Sequence, residues 1–183
     1  MDRTWKTQRL VLSLLGPGRA ADVRDYGTRS CSFHLPWDPE RPADFWDLPQ
    51  VAERLRQQVV EADQGRSLCL FLAEKHHPER VIGSANLRNI IRGALQGSHL
   101  GYALAPDAVG HGYMTEAIAE VVRIAFDEMG LHRVEANVMP RNIRSLAVIE
   151  RVGFQREGLC HRYLSIAGTW EDHVRLAMVN GDS

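Results

Sequence analysis

The stretch that most constrains this chain runs from Leu100 to Thr115, LGYALAPDAVGHGYMT. An apolar, strand-like run ends in a loop with two glycines one residue apart, Gly110 and Gly112, and a long amphipathic segment follows. Strand, glycine turn and helix together aim free backbone N–H groups at an anion. Any fold for the chain must set that turn at the end of a sheet, with a helix starting on it.

The flanking segments give the fold class. Thr7 to Leu15 alternates and then runs apolar, which predicts a first strand ended by Gly16-Pro17-Gly18. A short helix is expected over Gly18–Thr28, with Val23 and Tyr26 facing inward, and residues 30–47 read as a long loop rich in Pro and Trp. Leu48 to Asp63 carries Val51, Leu55, Val59 and Ala62 at helical spacing and stops at Gly65. Ser67–Glu74, Arg80–Ile91 and Leu95–Leu104 predict a three-stranded antiparallel meander, with Gly83 a bulge or a close approach. After the glycine loop, Thr115 to Gly130 reads as a helix with Ile118, Val121, Val122, Ala125 and Phe126 on one stripe. His132–Met139 is the next strand; reached by a helical crossover, it should lie parallel to the strand before the loop. Asn142 caps a helix through Val152, Gly153 ends it, and Phe154–Tyr163 and Trp170–Val179 close the chain as strands. The expected class is α+β, a single domain over residues 1–183 around a mixed sheet.

Bulk properties exclude several functions. A net charge of −1 carries no electrostatic footprint for direct nucleic-acid binding. No apolar run approaches the ~20 residues that cross a membrane. Cys31, Cys69 and Cys160 are far apart, with no C-x-x-C, and no signal peptide is visible, which favours a reducing cytoplasm. His76 and His77 adjoin in a turn without an H-E-x-x-H, so no metal site is expected.

Taken alone, the glycine loop has several readings. A Walker A loop requires a lysine that is missing, and a dinucleotide fingerprint requires a third glycine where Thr115 stands. The pyrophosphate loop of an acyl-CoA transferase and a plain strand-to-helix turn both remain. A second constellation, Asn137-Val-Met-Pro-Arg-Asn142-Ile-Arg-Ser145, puts a strand-end asparagine before a capped helix. Ser145, in the first turn, could donate from the positive helix end to a thiolate leaving group, or Asn142 and Ser145 could simply cap the helix.

The combination is more specific than its parts. G-H-G-Y-M-T-E-A, then H-R-V-E-A-N-V, then N-x-x-S-L-A-V-I-E-R-V-G-F-x-x-E-G resembles the GNAT acetyltransferase superfamily. T-x-R-L-V-L, N-x-x-R-G and G-x-W-x-D-H-V extend the likeness from Thr7 to Met178 and make it similar to RimJ/RimL-type N-terminal acetyltransferases of ribosomal proteins. The resemblance implies the GNAT fold: a mostly antiparallel sheet splayed at two parallel strands, with helices on both faces. It implies acetyl-CoA as donor and a protein N-terminus as acceptor, alanine of a small-subunit ribosomal protein foremost, or else a small amine, amino acid or antibiotic. A non-catalytic acyl-CoA-binding module is the other alternative, and the assembly is expected to be a monomer or a homodimer.

By that resemblance the pyrophosphate rests on Gly110, His111, Gly112, Tyr113, Met114 and Thr115. The pantetheine pairs with the strand edge at Leu104 and Ala105. Asn142 reaches the pantetheine arm, with Asn137 counted beside it. Ser145 takes the general-acid place, where many GNAT enzymes have a tyrosine a few residues further on; here those positions hold Ile149, Glu150 and Arg151. Val109 departs from the usual Gln or Arg that opens the loop, and Met114 from a small residue. The residues 33–46 are expected to wall the acceptor side. An α-amine, with a pKa of about 7.7–8.0, needs only modest base help, so a water-mediated base assisted by His99 or Glu157 is expected.

Overall fold

A computed structural model describes residues 3–181. Eight strands form one sheet: β1 (Arg3–Lys6), β2 (Leu10–Leu14), β3 (Leu68–Glu74), β4 (His77–Ile91), β5 (Gly97–Leu104), β6 (Arg133–Val138), β7 (Gln155–Ile166) and β8 (Thr169–Val179). The α-helices are α1 (Ala20–His34), α2 (Leu48–Asp63), α3 (Tyr113–Arg123) and α4 (Ile143–Val152). Strand order is β1-β2-β3-β4-β5-β6-β8-β7. Every neighbouring pair is antiparallel except β5 and β6, the pair that the α3 crossover joins. α1 packs on α2, and α3 on α4.

Alternation explains which faces are buried. Leu10, Leu12 and Leu14 of β2 are buried while Val11 and Ser13 are half-buried. In β6, Val134, Ala136 and Val138 turn to the core and Arg133, Glu135 and Asn137 to the other face. α3 buries Met114, Ala117, Ile118, Val121 and Val122, a stripe at helical spacing. At about 1.5–3 kcal/mol for each fully buried large aliphatic side chain, these stripes hold the helices on the sheet.

The structure departs from expectation at several edges. Thr7–Leu15 is not one strand: residues 7–9 turn the chain between β1 and β2, and Thr7 both donates its N–H to the Leu10 carbonyl and accepts the Leu10 N–H on its hydroxyl. The meander therefore has five antiparallel strands rather than three. α1 runs to His34, because Ser30 is buried and the inward face continues past Thr28, so the loop before α2 is shorter than 30–47. α3 begins at Tyr113 and continues through a π-helical turn, Ile124–Glu128. Gly83 is a close approach: a Cβ there would lie 2.6 Å from the Ala103 carbonyl oxygen.

What positions the site is where β5 and β6 stop pairing. Their register runs from Gly97↔Arg133 to Leu100↔Ala136 and ends. β5 continues through Gly101–Leu104 on β4 alone, and β6 continues through Asn137 and Val138 on β8 alone. β6 itself ends two residues further on, at Met139-Pro140, where proline has no N–H for a ladder and the chain turns into α4.

Candidate active site

The parted strands open a cleft of about 650 Å³. β5 lines it from Leu100 to Leu104, β6 from Ala136 to Met139, α4 through Asn142 and Ser145, and the end of α1 through Phe33 and His34. Val109 and Met114 of the glycine loop lie at the same cleft, as does His173 of β8.

The glycine loop is built for close backbone approach. Gly110 has φ +91° and Gly112 φ +77°, values that side-chain-bearing residues rarely adopt. Gly112 is the N-cap of α3, and no side chain caps the helix. The Glu116 N–H is the one that closes onto the Gly112 carbonyl, so the first-turn amides of Tyr113, Met114 and Thr115 are left for an outside acceptor. Arg9, in the turn before β2, adds a cation. Its guanidinium binds the His111 carbonyl at 2.8 Å and Glu116 at 2.7 Å and sits 4.8 Å from the centre of the Tyr113 ring. Sequence reasoning did not pick out Arg9; its signal was the T-x-R-L-V-L motif, whose arginine had no role until the fold put it beside the loop.

At the other end of the cleft, Asn142 caps α4 by accepting the Ser145 N–H at 3.2 Å. The Ser145 hydroxyl is therefore free of capping duty and lies 2.6 Å from the Tyr102 hydroxyl. Burial pushes the Tyr102 phenol up to about 12, against the smaller opposing effect of its bond to Ser145. Tyr102 thus stays protonated at any working pH; its hydroxyl reaches the Ser145 carbonyl at 3.2 Å as a donor and shares a hydrogen bond with the Ser145 hydroxyl in which either oxygen can donate. The sequence pointed to a tyrosine missing from α4; the fold supplies one from β5 instead.

The remaining edge is partly occupied. Ala105 donates its N–H to Ile82 at 2.8 Å and is fully buried, so its amide serves the sheet and not the gap. The Leu104 carbonyl accepts from His34 Nε2 at 2.8 Å. Asn137 Oδ1 is buried at the parted strands without a partner, an open acceptor facing the cleft.

The two expected bases lie elsewhere. His99 sits on β5 below the point of parting and lines a different cavity, of about 1020 Å³, with Arg54 and Arg88; its Nε2 is 3.7 Å from Glu135. Glu157 on β7 accepts from Arg133 at 2.9 Å, and that guanidinium holds its carboxyl below the usual range, which makes it a weaker base still. Among the described residues no group of three or more His, Cys, Asp or Glu is placed to hold a metal, and no helix is long and apolar enough to cross a membrane.

This architecture has known counterparts. Residues 9–155 match the family described as "Acetyltransferase (GNAT) domain". A probable N-acetyltransferase of Bacillus subtilis, YjcK, is 42% identical over 144 residues, covering 78% of each chain. The ribosomal protein uS5-alanine N-acetyltransferase of Escherichia coli is 34% identical over 176 residues, covering 96% of this chain and 90% of its own. The structure of Mycobacterium smegmatis RimJ in complex with a CoA-disulfide superposes with a TM-score of 0.90 at 27% identity, covering 98% of this chain and 88% of that one. A strand-to-helix glycine loop, parted parallel strands and a family match over most of the chain agree, and the chain belongs to the GNAT acetyltransferases.

Proposed function

We propose that this acetyltransferase moves the acetyl group of acetyl-CoA to the α-amine of a protein N-terminus, alanine of a small-subunit ribosomal protein foremost. The observation that carries the reading is the end of β5/β6 pairing at Leu100 and Ala136, with the Ser145–Tyr102 pair set in the gap. The residues fit the donor. The amides of Tyr113 to Thr115, with Arg9 nearby, suit its pyrophosphate, and the unpaired edge of Gly101–Leu104 suits the amide arm. When bound, acetyl-CoA supplies an activated thioester carbonyl.

Ser145 hydrogen-bonds the sulfur as the C–S bond breaks, its own oxygen supported by the Tyr102 hydroxyl. A thiol has a pKa near 8.5 and Tyr102 titrates near 12, so the pair stabilises the thiolate by hydrogen bonding and water completes its protonation. An α-amine is partly neutral near pH 7, whereas a lysine amine at about 10.4 is not; a cleft without a free carboxylate base favours the former. The similarity to the uS5-alanine enzyme supports the acceptor.

The test follows CoA release with peptides that begin in free Ala or Ser, the same peptides blocked at the N-terminus, and a panel of small amines. Release with the free Ala peptide alone is expected. Turnover confined to small amines overturns the acceptor, and CoA binding without turnover overturns the reaction. Ser145→Ala is expected to lower kcat by about 10²–10³-fold, as for the loss of one donor, with CoA affinity held within a few-fold.

A further inference from the structure

We infer that His173 is the proton acceptor for the attacking amine, acting through Nε2 from the side of the sheet opposite Ser145. The inference rests on the reading of the cleft as an amine-acetylation site.

Strand geometry sets the two sides. Tyr102 reaches α4, so Leu100, Tyr102 and Leu104 face the α3–α4 side of β5. Ala136, in register with Leu100, shares that side, and Asn137 takes the other. Arg175 is in register with Asn137, and His173, two residues before it on β8, faces the same way. His173 is 3% exposed and lines the cleft. The amine adds from above the plane that holds the carbonyl and the sulfur, so the donor to sulfur and the acceptor of the amine proton are needed in different directions from the acyl carbon, as Ser145 and His173 are placed.

The tautomer is fixed by a backbone partner. His173 Nδ1 lies 3.0 Å from the Glu171 carbonyl oxygen, which only accepts, so Nδ1 carries the hydrogen. The lone pair is then on Nε2, the ring atom furthest from the backbone, and it makes no hydrogen bond among the described residues. The Tyr163 ring meets the imidazole edge-on at 5.7 Å and fixes its plane.

Other titratable groups at the cleft fit the task less well. His34 spends Nε2, its distal nitrogen, on the Leu104 carbonyl, which leaves its lone pair on Nδ1 beside its own helix and the Phe33 ring. Asp38 is held by Arg41 at 2.6 Å, and Glu171 by Arg141 at 2.8 Å. The amine nitrogen bonds the thioester carbon, and its proton passes to His173 Nε2. The C–S electron pair leaves with sulfur, which takes one proton from water, and His173 returns one to water.

Three measurements test this. In the parent protein, two-bond nitrogen–proton NMR correlations of the histidine rings should show His173 as the Nδ1–H tautomer when neutral; an Nε2–H tautomer overturns the inference. His173→Gln should lower kcat at pH 7 by about 10²–10⁴-fold, the usual reach of general-base catalysis, with CoA affinity unchanged. The deficit should shrink as pH rises from 7 to 9.5 and the amine loses its proton unaided. A merely structural role would leave the deficit flat with pH. Imidazole added to His173→Ala should restore part of the rate. A kcat within twofold of the parent at pH 7, or a deficit constant with pH, overturns the role of His173. If the parent acetylates small amines and no peptide, the acceptor reading fails instead, and the His173 comparison is read with that amine.

Discussion

Tyr102 does two things at once. It lines the cleft between the parted strands and shares a hydrogen bond with the Ser145 hydroxyl at 2.6 Å. Its raised pKa, about 12 in the folded protein against 10 in the open chain, has a consequence for stability. Below pH 10 both states hold the proton, and the phenol's burial is fully supported. Above pH 10 the unfolded chain sheds the proton while the folded one keeps it, so stability falls as pH climbs toward 12. By pH 11.5 the loss from this group is about 2 kcal/mol. Urea titrations at pH 9 and pH 11.5 should therefore show the parent losing about 2 kcal/mol more than Tyr102→Phe; equal losses would mean that the phenol is not held protonated by the fold. Single residues were legible in the sequence where their role is local. Asn142 as a cap and Gly112 at the helix entrance both depend on neighbours within four residues. Arg9, Tyr102 and His173 were not legible, because each meets its partner, or its cleft, across a long span of chain.

At the scale of elements, the glycine loop and α3 act as one unit. Gly112 at φ +77° both turns the chain and exposes the amides of the first helical turn. Proline locks φ near −65°, so Gly112→Pro cannot keep the cap and should displace those amides. Isothermal titration should show CoA affinity falling by tenfold or more in Gly112→Pro and by less than threefold in Val109→Ala, since Val109 offers no donor. Equal affinities in the two variants would show that binding does not rest on the backbone here. Element types and order were readable because alternation and helical spacing are short-range patterns. Boundaries slipped where tertiary burial extends an element, as in α1, or where a threonine turn splits one, as between β1 and β2.

At the scale of the molecule, Glu116 joins the first strands to the site. It accepts from the Thr7 hydroxyl and from the Arg9 N–H and guanidinium, the latter two at 2.7 Å. Its burial works against ionisation, yet those bonds hold its carboxyl below the usual range. The stabilisation is thus present above the ordinary glutamate pKa and is lost as pH falls through the lowered one. Glu116→Ala should cost about 2–4 kcal/mol at pH 7, seen as a Tm lower by about 5–10 °C, with the gap closing in acid. An unchanged Tm at pH 7 would show that the N-terminal hairpin is held by apolar packing alone. By itself the sequence determined the class of the sheet, the parallel pair at the crossover, the glycine-loop helix and the capped helix carrying Ser145. Those follow from periodicity, turn chemistry and caps, which act over a few residues. Tertiary structure alone decided where β5 and β6 part, which tyrosine meets Ser145, and that His99 and Glu157 stand away from the cleft while His173 lines it. Strand register sets those positions, and register is fixed by contacts between residues far apart in the chain.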